Sequence, residues 1–264
     1  MRIHAVFLAE LRKYFLEIKN YYPDHIGNLV TTYIFFMGFF FIVKSGSDYT
    51  GAAGQMGQSI IGFFIWFFST SVVFESSVTI SEEKRVGTLE QILLKPAGFV
   101  NIMLARSVCW AIVSFVEVSF LLIFIAMTTG VSVPFKGPVI PVMLLTMVGL
   151  YGFGFIMSGL TILYTKTASF SSILNYFFLF FTGAMVKVEV LPPVLRSISK
   201  SLPLTQGISL AKDIVATDLS WAMFLSDGRL IWLVLNSAFY FAAGLIFFRM
   251  VYAHAKRKGV LKQY

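Results

Sequence analysis

A chain of 264 residues would ordinarily fold as one or two soluble domains, but here 57% of the residues are hydrophobic, only 13% are charged, and the mean hydropathy is +0.80. A soluble domain needs roughly 25% charged residues to cover its core, so a soluble globular fold is excluded and an apolar solvent is required. The net charge of +8 raises nucleic acid as a partner, yet no basic run is interleaved with aromatics and the 29 Phe sit in long apolar stretches. Cationic loops held against anionic lipid account for the charge instead.

The opening segment, residues 1–26, begins with an amphipathic helix. Phe7, Leu8, Leu11, Tyr14, Phe15 and Ile18 recur at helical spacing, while Glu10, Arg12, Lys13, Glu17 and Lys19 take the other faces. Such a helix lies in the membrane interface or packs on other protein, and the apolar wall that follows favours the interface. Pro23 and Asp24 punctuate the turn into that wall.

Six apolar segments follow, at residues 27–43, 59–78, 102–127, 139–164, 170–186 and 230–251. Each approaches or exceeds the roughly 20 residues that a helix needs to cross ~30 Å of hydrocarbon. Continuous apolar runs without two-residue alternation predict helices rather than a barrel, giving an all-α membrane protein with six transmembrane helices. The first and fifth segments are the short ones. With the amino terminus placed in the cytoplasm, fourteen of the 21 Lys and Arg fall on the inner side and seven on the outer. The positive-inside rule therefore predicts a multi-pass protein of the cell membrane with both termini cytoplasmic. The sole cysteine, Cys109, lies in an apolar run, so no intrachain disulfide is possible.

Two connections stand out. The inner one, residues 79–101, is polar and charged, and predicts a short helix from Thr88 with Gln91 completing a capping box and Pro96 ending it. Leu89, Ile92 and Leu93 would form its apolar face. A helix of two turns is too short to stand alone, so it must be docked on something. The outer connection, residues 187–228, holds Leu191-Pro192-Pro193, then Val194, Leu195, Ile198 and Leu202, then Pro203 and a second apolar pattern from Ile208 to Val215. Half-buried helices flanked by prolines predict segments that dip partway into the outer leaflet.

Residues Glu82-Glu83-Lys84-Arg85-Val86-Gly87-Thr88-Leu89-Glu90-Gln91-Ile92-Leu93, with Pro96 beyond, resemble the coupling-helix motif of ABC exporter permeases of the second (ABC-2 type) class. Leu191-Pro192-Pro193-Val194-Leu195 followed by Leu202-Pro203-Leu204-Thr205-Gln206 is similar to that family's outer signature, with Leu202 and Gln206 in place of an Asn and an aromatic residue. The resemblance covers essentially the whole chain. It implies a permease subunit that pairs with a second permease subunit, as homodimer or heterodimer, and rests on cytoplasmic ABC ATPase subunits. The sequence has no Gly-x-x-x-x-Gly-Lys-Ser/Thr run to hold phosphates. The chain is thus expected to be no enzyme and to carry no cofactor or metal, with ATP and Mg held by the partner. Glu82, Glu83, Arg85, Gly87, Thr88, Leu89, Glu90, Gln91 and Leu93 are the implied ATPase-docking residues. The implied activity is ATP-driven export of a hydrophobic or amphipathic substrate (a drug, peptide or lipid) by alternating access, the second and fifth spans lining the path. Polysaccharide or ion export, or a secondary transporter or channel with no ATPase, are the alternatives.

Ionisable residues within spans are functional candidates by default. Glu117 lies eleven residues beyond Arg106, about 16 Å along a helix. It could receive a cationic substrate, pair with a polar group of another helix, or remain a neutral carboxyl. Glu75 lies nearer the inner end of its span, as a helix-end or inner-gate residue. Asn175 and Asn236 fit helix-packing roles.

Overall fold

The computed structural model describes residues 3–46, 52–130, 136–164, 167–216 and 228–258. All regular structure among them is helical, as an apolar chain must be when its backbone groups have only each other as partners. Residues 217–227 of the expected outer connection lie outside the described residues, as do Arg2, Lys166 and Lys262 of the charge tally.

The chain opens with α1 (Ile3–Asn20) and α2 (Tyr22–Gly46), which are separated by a single residue. Pro23 sits in the first turn of α2, where its missing N–H leaves no hydrogen bond unmade. Then come α3 (Ala52–Val86), α4 (Leu89–Leu93), α5 (Phe99–Thr129), α6 (Val139–Leu163) and α7 (Ala168–Phe181). A short 3-10 turn (Val188–Val190), α8 (Pro193–Ser201), α9 (Pro203–Ala216) and α10 (Gly228–Lys258) complete the order.

Among the described residues, four helices are long and apolar enough to cross a membrane: Gly57–Val86 within α3, Phe99–Thr129, Val139–Leu163 and Gly228–Arg257 within α10. The other two expected spans correspond to shorter apolar stretches, His25–Phe41 in α2 and Ser169–Phe181 in α7. α7 stops short of the predicted residue 186 because Gly183 takes φ +88°, a left-handed conformation that cannot continue the helix. Its 14 residues reach only about 21 Å, against the ~30 Å of hydrocarbon.

α3 departs in the opposite sense. The second span was expected to end at residue 78 and give way to a loop, yet the helix continues unbroken to Val86. Glu82, Glu83, Lys84 and Arg85 are all good helix formers, and Lys84 and Arg85 in the last turn complement the negative end of the helix dipole. The break comes at Gly87, whose φ of +75° suits glycine.

α6 is the centre of the bundle, packed along α10, α3 and α9. α6 and α10 approach closely enough that a Cβ on Gly152 would fall on the backbone carbonyl of Tyr240, and one on Gly244 would fall on the backbone of Gly152. Backbone contact through small residues is the usual means of joining helices where lipid removes any hydrophobic incentive. Phe36, Phe63, Phe68, Phe155, Phe178 and Phe248 are fully buried around this centre. Two of the helices expected between residues 187 and 228 are present as α8 and α9, each beginning at or beside a proline. α9 is wedged between α3, α6 and α10, with Leu204, Ile208, Leu210, Ala211 and Ile214 buried.

Candidate functional site

α4 and the final turns of α3 form one end of the bundle, opposite α8 and α9. Leu89 and Ile92 are buried, Leu93 is half-buried, and Glu90, Gln91 and Leu94 face outward. The small helix is therefore docked by its apolar face, as its length requires. The predicted capping box does not form. Thr88 occupies the N-cap position but makes no side-chain cap bond, and its hydroxyl donates instead to the Glu83 carboxylate. The Thr88 N–H also donates to the Glu83 carbonyl, at 3.0 Å, so Glu83 holds the turn from both sides.

Glu83 is the hub of this end. Its Oε1 accepts from Lys13 Nζ at 3.0 Å and from an Arg106 guanidinium nitrogen at 3.2 Å. Arg106 reaches on to Glu10, Nε to Oε2 at 3.0 Å. The side chains of Arg106, Glu83 and Glu10 are only 7%, 10% and 12% exposed. A buried charge of this kind persists only where it is paired and hydrogen-bonded on all sides. The group ties α1 to α3 and α5. Beside it, Lys84 donates to the Ile162 carbonyl at 2.9 Å and ties α3 to the end of α6. Ser77, Thr161 and Thr167 close a third link through their hydroxyls.

The predicted docking residues thus divide. Glu82, Arg85, Gly87, Glu90 and Gln91 are exposed, with Arg85 and Glu82 paired to each other at 2.6 Å. Leu89 is buried, Leu93 and Thr88 are half-buried, and Glu83 is turned inward and fully engaged, so it offers nothing to an external surface. Sequence reasoning assigned no role to Glu10, Lys13 or Arg106. The signal for Arg106 was present: it lies inside the third apolar segment, where an ionisable residue is exceptional.

The intramembrane candidates come together a little further in. Glu117 Oε1 lies 3.6 Å from His25 Nδ1, joining α5 to α2. This is the helix-to-helix polar contact that was one of the readings open for Glu117. Tyr14 packs edge-on against Trp110, with ring centroids 4.4 Å apart, and against His25 at 6.1 Å. A cavity of about 660 Å³ opens here, lined by Glu10, Tyr14, Glu17, Glu75, Arg106 and Trp110 among others. A second of about 630 Å³ is lined by His25, Asn28, Thr31, Phe67, Glu75 and Asn175 among others. His25 and Glu75 belong to both. Asn236 packs α10 on α8 by donating to the Ser201 carbonyl at 2.9 Å, whereas the side-chain oxygen of Asn175 has no hydrogen-bond partner among the described residues.

Four long apolar helices around a charged junction define a multi-pass membrane protein with an elaborated end, in which a short docked helix is held by buried ion pairs. The family model of ABC-2 type transporters matches residues 5–216, and the chain belongs to that family. It is therefore the transmembrane permease component of an ABC transporter. No curated protein matches the sequence at a significant level.

Proposed function

We propose that this chain is a six-span permease subunit of an ATP-driven exporter, that α4 receives the thrust of a cytoplasmic ATPase subunit, and that both termini lie in the cytoplasm. The observation that carries this reading is the division of α4 into two faces. Leu89 and Ile92 fix it to the bundle, while Glu90, Gln91 and Leu94 are left open. Through Glu83 the same helix is joined to α1 and α5, and through Lys84 to α6. A push on the open face is thereby delivered to several spans at once, as rigid-body alternating access demands. The bias of Lys and Arg toward the α4 side supports a cytoplasmic location for that end. Phe170, Ile173, Tyr176 and Phe180 of α7 are exposed and remain for lipid or for a second permease subunit. The substrate class that best fits the apolar walls is hydrophobic or amphipathic.

The test is Glu90→Arg, which reverses a charge on the open face and touches no buried contact. ATPase copurification or coupling of hydrolysis to transport falls, while insertion and thermal stability stay at wild-type values. Normal coupled transport by this variant contradicts the docking assignment. Cargo movement by the purified chain without any ATPase contradicts the exporter reading as a whole.

A further inference from the structure

We propose that α1 is a docking face for anionic phospholipids in the leaflet on the α4 side, with Arg12 and Lys19 as the cations that receive their headgroups. The proposal goes beyond the permease reading and does not depend on an ATPase partner.

The rotation of α1 is fixed from its inner side. Val6 and Tyr14 are buried, Glu10 accepts from Arg106 at 3.0 Å, and Lys13 donates to Glu83 at 3.0 Å. With 3.6 residues per turn these four share one arc of about 100°, and Glu17 falls within it. Both acidic residues of α1 are thus on the inner side. The opposite side carries Leu8, Arg12, Phe15 and Lys19, whose spacings of four, three and four residues make a single stripe along the helix. All four are exposed, Leu8 by 62% and Phe15 by 61%. Among the described residues, neither Arg12 nor Lys19 has a carboxylate within salt-bridge distance.

Two further features put this stripe at headgroup level. α5 meets α1 at Cys109, whose Sγ lies 3.6 Å from the Phe7 carbonyl oxygen, and it ends at Thr129. The helix between those residues is about 30 Å long, the thickness of the hydrocarbon layer, so α1 crosses α5 where hydrocarbon gives way to headgroups. The junction with α2 marks the same boundary. Tyr21 and Tyr22 are exposed there, and Ile26, Val30 and Ile34 are exposed further along α2. Tyrosine favours the membrane interface and aliphatic side chains its interior. At that level Leu8 and Phe15 can enter the acyl boundary while the long stems of Arg12 and Lys19 carry their charges to the phosphates. A neutral leaflet would bury the two apolar residues equally well but leave both cations without a net counter-charge. The stripe also has no uncharged hydrogen-bonding side chain with which a protein surface would set register. Hydrocarbon and point charges alone suit a fluid anionic leaflet.

The experiment places the full chain in phosphatidylcholine nanodiscs with a bimane label at Ala9→Cys, an exposed position one turn before Arg12; Cys109 is buried and is left in place. Phosphatidylglycerol or phosphatidylcholine, brominated high on the acyl chains, is added at equal mole fraction, and quenching of the label is compared. A cation at an anionic surface is worth about fivefold in lipid association. The expected result is a preference for phosphatidylglycerol of about fivefold or more, which 1 M salt reduces. Arg12→Gln with Lys19→Gln abolishes the preference while quenching by phosphatidylcholine persists. Arg12→Lys retains it, and Lys200→Gln, on α8 at the other end of the bundle, leaves it unchanged. Equal quenching by the two lipids, or a preference kept by the double variant, overturns the proposal. Absence of quenching by either lipid also overturns it, and would assign the stripe to a protein surface or to water. If the double variant fails to fold, the salt series on the labelled chain with Arg12 and Lys19 intact decides, and a preference undiminished at 1 M salt overturns the proposal.

Discussion

The two ends of the bundle are held together by different physics. At the α4 end, cohesion comes from charge: Arg106 bridges Glu10 and Glu83, Lys13 joins Glu83, and cavities open directly beside them. At the α9 end it comes from close approach. A Cβ on Gly149 would strike Pro203, and one on Gly207 would strike Thr146. Ion pairs next to a cavity can exchange partners without emptying a packed volume, whereas side chains seated on glycines in a close-packed seam have essentially one arrangement. Such a construction predicts that the α4 end is the one to flex and the α9 end the one to serve as pivot. The contrast can be attacked from either side.

Arg106→Met attacks it hardest. It leaves Glu10 and Glu83 as neighbouring carboxylates without their shared cation, and breaking a buried pair in this way costs about 3–5 kcal/mol. The expected outcome is a large fall in the thermal unfolding midpoint in detergent, with α1 released to proteolysis. The sharper version adds Glu10→Gln and Glu83→Gln. If the charges serve movement rather than cohesion, the triple variant recovers most of the lost stability but does not couple ATP hydrolysis to transport. Failure to recover would mean that the network is chiefly structural, and that the two ends differ less than their chemistry implies.

Much of this arrangement was legible beforehand, for identifiable reasons. The boundaries of α5, α6 and α10 fall within a few residues of the apolar runs at 102–127, 139–164 and 230–251, apart from the charged tail of α10, because hydropathy reports directly on what lipid tolerates. The extension of α3 to Val86 was hidden since hydropathy cannot tell a charged helix from a charged loop. The early stop of α7 depends on the φ of Gly183, which no periodicity encodes. Glu83 reads as one more surface charge in a run of four. Only the convergence of Lys13 and Arg106, 70 positions before it and 23 after, turns it inward. The cavities have no sequence signature, and Glu75 and Glu117 were visible only as charges out of place.

Gly152→Ala probes the close packing where it continues into the middle of the bundle. Its Cβ would fall on the Tyr240 carbonyl, which is backbone and cannot swing aside, so α6 and α10 must separate. Overpacking of this kind costs about 2 kcal/mol. The expected outcome is a lowered unfolding midpoint together with looser packing of α10 in hydrogen exchange. An unchanged midpoint would show that the helices slide freely here, and the pivot would be lost.

The smallest effect comes from Lys212 on α9, and it separates the ends by pH. Its Nζ donates to the Gly183 carbonyl at 2.6 Å. Burial, reinforced by the Lys187 cation and opposed by Glu189, pulls its pKa down from 10.5 to about 8. An unfolded lysine keeps its proton to about pH 10.4. Between these two values the unfolded chain binds more protons than the folded one, so stability rises with pH; below about 8 both states hold the proton and the slope vanishes. From pH 8 to pH 9 the wild type should gain about 1 kcal/mol relative to Lys212→Met, read as the difference between their unfolding midpoints. A flat difference across that window would mean that Lys212 is hydrated, and therefore that water enters the α9 end. Close packing could then no longer be what distinguishes that end from the charged junction at α4.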